Sequence, residues 1–127
     1  MSTPAQPSFT PGPWSIKWDF NVFGGERLVA SAGGHSSNRD SERVTAENKA
    51  NARLIAASPS LYAYAKAETL FFAWMRAAGV GEDEHDAAQN AYVEYITSLG
   101  WDGKPDPGGY LNTLRATALA LAEGGGK

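Results

Sequence analysis

A cluster of basic residues lies in an otherwise acidic chain, and it is the strongest candidate for binding chemistry. Lys49 and Arg53 are four positions apart, which places them on one face of a helix. Arginine binds phosphate oxygens in a forked geometry, and an aromatic ring such as Trp18 or Phe23 can stack on a nucleobase. The predicted nucleotide-binding residues are Arg39, Arg43, Lys49, Arg53 and Trp18. The open alternative is that these charges only solvate a loop and a helix start.

Other residues with reactive side chains do not form a complete catalytic set. The chain has two histidines. His35 stands in a polar loop, and His85 follows an acidic run that is typical of a helix start. Serines close to His35 lack the G-x-S-x-G pattern of a nucleophile elbow, and the glycine pairs do not match a phosphate-binding loop. The chain contains no cysteine, which excludes thiolate metal sites and thiol nucleophiles. We therefore expect a non-enzymatic protein with no metal and no cofactor.

Composition and charge limit the classes of protein further. The chain has 127 residues, of which 43% are hydrophobic and 20% are charged, as expected of one globular domain. A net charge of -3 argues against a general nucleic-acid binder, which would be basic. No apolar run approaches the ~18 residues of a membrane span, and the first residues lack an export signal. We predict a cytoplasmic protein with a loose arm over residues 1–13, one domain over 14–122 and a flexible tail over 123–127.

The N-terminal part of the chain has the pattern of β-structure. Apolar and polar residues alternate over 14–20, which predicts one strand. The apolar face of this strand would consist of Trp14, Ile16, Trp18 and Phe20. The pair Gly24-Gly25 then predicts a turn, and residues 28–30 predict the returning strand. Because two strands are marginal alone, this sheet must pack on the helices that follow.

Helical periodicity governs the rest of the chain. It predicts helices over 46–57, 59–78, from the acids at 82–86 to about 99, and over 110–122. Pro59 predicts a break after the first helix, whereas Gly79 and Gly100 predict the ends of the second and third. The predicted fold is therefore α+β, with a small N-terminal antiparallel sheet or hairpin packed on three to four α-helices.

The helix predicted over 59–78 has a wide apolar surface. A monomer of this size rarely exposes a large contiguous apolar patch. We therefore predict a homodimer or a higher homo-oligomer with a helical interface. The predicted interface residues are Leu61, Tyr64, Phe71, Phe72 and Met75.

Three segments occur in a characteristic order. They are Thr10-Pro11-Gly12-Pro13-Trp14, ANARLIAASPSL over residues 50–61, and LRATALALAEGG over residues 114–125. Together they resemble a widespread group of small phage and prophage proteins with a TPGPW start, short strands, an ANARLIAAAPDLL-type helix and an alanine-rich end. The chain departs from that pattern at Ser58 and Ser60, where alanine and aspartate are usual.

The resemblance implies a phage origin. Small accessory phage proteins often act against bacterial defence, so it also implies a non-enzymatic binding protein that antagonises antiviral defence in the bacterial host cell. The first expectation is sequestration of a small nucleotide immune signal. The alternatives are an anti-CRISPR-like inhibitor that masks a host defence protein, and a small hydrolase. The expected partner is a host defence component, with no role for membranes.

Overall fold

The computed structural model describes residues 9–18, 20–32, 41–104 and 106–124, and over 41–45 it describes the backbone only. Within these ranges, three strands precede four helices. The strands are β1 (Trp14–Lys17), β2 (Asn21–Gly24) and β3 (Arg27–Ser31), and the helices are α1 (Ser41–Ala56), α2 (Ser58–Ala77), α3 (Glu82–Ser98) and α4 (Pro107–Glu123). The predicted α+β fold, with an antiparallel sheet at the N-terminus, is confirmed.

The sheet is antiparallel in the order β1-β2-β3. Ile16 of β1 lies opposite Val22 of β2, and Val22 lies opposite Ala30 of β3, with an irregular register next to Val22. The prediction of one strand over 14–20 is wrong, because the chain turns at Trp18, whose backbone has a φ of 54°. The NH group of Phe20 donates to the carbonyl oxygen of Trp18 at 2.8 Å and closes this turn.

This turn also overturns the predicted apolar face. Trp14 and Ile16 belong to β1, but Trp18 and Phe20 lie in the turn that leads to β2. The alternation of side chains therefore stops before Trp18, since period-two alternation holds only while the strand stays extended. The apolar sequence that predicted one longer strand thus supplies the shorter β1 and its connection to β2.

The described residues form two compact units. The first, here the sheet unit, ends at Leu61 and resumes at Thr117, so it contains the sheet, α1 and the end of α4. The second, here the helical unit, is Tyr62–Ala116. The domain boundaries expected at 14–122 remain a prediction. No helix in the described ranges is long and apolar enough to cross a bilayer.

In the sheet unit, α1 packs on β1 and β2. Val22, Ala52 and Ala57 are fully buried there. The segment before β1 packs on the start of α2, because a Cβ atom added to Gly12 would lie 2.7 Å from the Cβ of Pro59. Two of the three characteristic sequence segments, TPGPW and the one that ends at 61, thus contact each other.

In the helical unit, Ala67, Tyr92 and Ile96 form the buried core. Phe71 and Trp74 pack against this core, and their rings contact each other edge to face. The hydroxyl group of Tyr92 donates to the backbone carbonyl of Pro107. Burial raises the pKa of Tyr92 to about 12, with smaller contributions from the nearby charge of Asp106 and from Tyr110.

The ends of the helices follow local sequence signals. The predicted break at Pro59 is confirmed, since α1 ends at Ala56 and α2 begins at Ser58. The predicted stops are also confirmed, because Gly79 and Gly100 have positive φ angles of 87° and 114°. α4 begins three residues before the predicted position 110, and α1 begins five residues before the predicted position 46.

The early start of α4 has a clear cause. The carboxylate of Asp106 accepts a hydrogen bond from the NH group of Gly109 at 2.7 Å, as an N-cap does. Pro107 then occupies the first helical position, where its missing NH group costs nothing.

Candidate functional site

An exposed cluster of apolar and basic side chains lies on the sheet. It consists of Lys17, Trp18, Phe23 and Leu28, and we call it the aromatic platform. Trp18 is 74% exposed, and its ring meets the ring of Phe23 edge to face, with centroids 5.7 Å apart. The ammonium group of Lys17 lies 4.9 Å from the centroid of the Phe23 ring. Leu28, 53% exposed, is the cross-strand partner of Phe23.

The strands place this platform on one face of the sheet. Val22 is fully buried, and successive side chains of a strand point to opposite faces, so Phe23 points away from the buried face. Ser15 and Leu28 lie opposite Phe23 on the two neighbouring strands and share its face. Because α1 packs on β1 and β2, the platform lies on the face that α1 leaves open.

Trp18 adopts an unusual conformation for a large side chain. A φ of 54° is in the left-handed region, which costs a residue other than glycine about 1–2 kcal/mol. Burial does not repay this cost, since most of the residue is exposed. Strained residues of this kind cluster at binding and catalytic sites. The indole can stack on a flat apolar group, and the ammonium of Lys17 can attract an anion.

The predicted nucleotide-binding residues lie in different places. Trp18 is part of the aromatic platform, whereas Lys49 is exposed on α1. Arg53 lies one turn further along α1. Its side chain packs against Gly124 at the end of α4, because a Cβ atom added to Gly124 would lie 2.7 Å from the Nε atom of Arg53. The Nε atom of Arg53 is buried without a hydrogen-bond partner.

The two groups are not brought together by the structure. Trp18 contacts Phe23 on the face opposite α1, which carries Lys49 and Arg53. Arg39 lies outside the described residues. The backbone of Arg43 belongs to α1, but its side chain is likewise outside the description.

The five residues predicted at an oligomer interface, Leu61, Tyr64, Phe71, Phe72 and Met75, all lie on α2. Phe72 is 48% exposed and Met75 is 44% exposed. Phe71 instead packs against the helical core. Tyr64 donates its hydroxyl hydrogen to the carboxylate of Glu68 at 2.8 Å, and this hydrogen bond raises the pKa of Tyr64. The oligomeric state remains a prediction.

A contact that the sequence did not reveal connects α2 and α3. The indole NH group of Trp74 donates to Nε2 of His85 at 3.0 Å. This hydrogen bond assigns the proton of the neutral imidazole to Nδ1, which lies 3.6 Å from the carboxylate of Asp86. An open pocket of about 460 Å³ lies beside His85, lined by residues 78–82. Among the described residues, no group of three or more potential ligands could hold a metal ion.

Comparison with protein-family models gives a match. The family model described as Salmonella phage P22 protein Y8K6 matches residues 1–98 of this chain. No curated protein and no solved structure matches this chain. The matched residues include the whole sheet with the aromatic platform, and they end at the last residue of α3.

Proposed function

Since this chain belongs to the Salmonella phage P22 protein Y8K6 family, we propose that it is a non-enzymatic phage binding protein that antagonises bacterial antiviral defence. It acts in the cytoplasm of the host by sequestering a small nucleotide immune signal on the aromatic platform. The observation that carries the proposal is Trp18, which is 74% exposed and held in a left-handed conformation against Phe23.

The chemistry of the platform suits a nucleotide. A nucleobase stacks on the exposed indole of Trp18, an interaction worth about 1–3 kcal/mol per base. The ammonium of Lys17 attracts the phosphate and donates hydrogen bonds to its oxygens. Binding of this kind removes the signal from solution without breaking a covalent bond, so the proposal requires no catalytic group. The phosphate contacts predicted for Arg39 and Arg43 stay predictions and are not part of this platform.

The second candidate function is the masking of a host defence protein by the same surface. Leu28 favours it, because this side chain is 53% exposed beside Phe23 and a mononucleotide on Trp18 need not cover it. Exposed tryptophans also often supply the central binding energy of protein interfaces. On this alternative, the platform contacts a protein surface.

A plating assay tests the proposal. Bacteria that carry a nucleotide-signalling defence system are made to express the wild type, Trp18→Ala, or the control Leu119→Ala, which removes a side chain 47% exposed on α4. We expect the wild type and the control to restore phage plating, and Trp18→Ala to lose that effect while accumulating normally. Full restoration by Trp18→Ala would overturn the proposal. A host protein retained by the wild type and lost from Trp18→Ala would favour the masking function.

A further inference from the structure

We infer that the aromatic platform selects a purine nucleoside phosphate, with the purine on Trp18 and the phosphate at Lys17. This inference rests on the proposed function, because it names the class of ligand that the same surface binds. Its evidence is the arrangement of Lys17 and Trp18 around one shared ring, that of Phe23.

The exposed indole determines the preference for a purine. Trp18 meets Phe23 at an interplanar angle of 78°, so the contact is edge to face and leaves most of the side chain open to a ligand. A purine has two fused rings, as indole has, and covers more of it than a single-ring pyrimidine does. Apolar contact energy grows with the area removed from water, so the purine binds more tightly.

Lys17 determines the preference for a phosphate. Its ammonium stays at the surface, 4.9 Å from the centroid of the Phe23 ring. Because Lys17 precedes Trp18 and both side chains contact Phe23, a ligand stacked on the indole brings an attached anion towards the ammonium. A nucleoside without phosphate keeps the stacking and loses this attraction. The phosphate therefore adds affinity that is sensitive to salt.

The test uses the full-length chain labelled with ¹⁵N. The indole NH signal of Trp18 is assigned by its absence from Trp18→Phe, and the protein is then titrated with AMP, adenosine and UMP. We expect AMP to shift the Trp18 signal with an affinity about 5-fold above that of UMP and about 3-fold above that of adenosine. Lys17→Gln should remove the difference between AMP and adenosine. In Trp18→Gly, which has no Trp18 signal, the backbone amide signals of Lys17 and Phe23 should no longer shift with either ligand.

Two results would overturn the inference: equal affinities for AMP, adenosine and UMP, or a response of other indole signals with none from Trp18. These results are separable from failure of the proposed function. AMP binding at Trp18 together with full plating by Trp18→Ala would reject the defence role and keep the ligand class. The reverse pattern, with no ligand bound but plating lost in Trp18→Ala, would reject the ligand class.

Discussion

Replacing Trp18 with glycine distinguishes a side chain kept for binding from one kept for stability. The left-handed backbone of Trp18 costs the folded state about 1–2 kcal/mol, and glycine removes that cost. The variant loses the edge-to-face contact with Phe23, worth about 0.5–1.5 kcal/mol. Glycine also makes the unfolded chain more flexible, at about 0.5–1 kcal/mol. Because these contributions nearly cancel, we expect a free energy of unfolding within about 1 kcal/mol of the wild type.

Urea unfolding followed by circular dichroism measures this difference. The comparison is Trp74→Ala, which removes a tryptophan that packs against the helical core and costs about 3–5 kcal/mol. Trp18→Gly should unfold near the wild-type midpoint while losing nucleotide binding. A loss of more than about 2 kcal/mol in Trp18→Gly would show that the indole is a structural element, which refutes the reasoning.

Three further predictions concern the fold. Gly12→Ala should lower the free energy of unfolding by about 1–3 kcal/mol, because the new Cβ atom would lie 2.7 Å from the Cβ of Pro59. Urea unfolding measures this loss, which should be smaller when Gly12→Ala is made in a Pro59→Gly background. The pKa of Tyr92 rises from 10 to about 12 on folding, so stability that is present below pH 10 is lost as the pH rises towards 12. Tyr92→Phe should show a smaller decline over that interval in thermal melts, and an unchanged decline would contradict the assignment. Trp74→Phe removes the hydrogen bond to His85 and should cost about 1 kcal/mol, and an equal cost in a His85→Ala background would argue against that bond.

Local steric signals were readable from the sequence. Pro59 cannot continue α1, and glycines 79 and 100 readily adopt the positive φ angles that end a helix, so these boundaries were predicted correctly. The start of α4 differs from the predicted position 110 because its proline and glycines resemble a loop. The pair Asp106-Pro107 was nevertheless a usable signal, since it combines an N-cap with a first-turn proline.

The turn at Trp18 was not readable, because alternation carries no information about a residue that leaves the extended conformation. Sequence alternation also fails to predict which residues form the aromatic platform. The sequence predicts Trp18 and Phe23 as stacking residues, but it gives no signal for Lys17 or Leu28. Their proximity to Phe23 depends on how the three strands pair and where the chain turns between them, which alternation within one strand does not specify.

The contact between Trp74 and His85 was missed for a related reason. These residues are eleven positions apart, on two helices whose packing brings them together. Sequence periodicity describes one helix at a time and does not specify which side chains of two helices meet.

Native mass spectrometry of the protein isolated from phage-infected bacteria tests the central claim most directly, because it weighs the chain together with whatever it holds. We predict a mass increase that corresponds to a purine nucleotide on the wild type, and its loss from Trp18→Gly. A bare wild-type chain, or the same added mass on both proteins, would contradict the claim that the aromatic platform is the binding site.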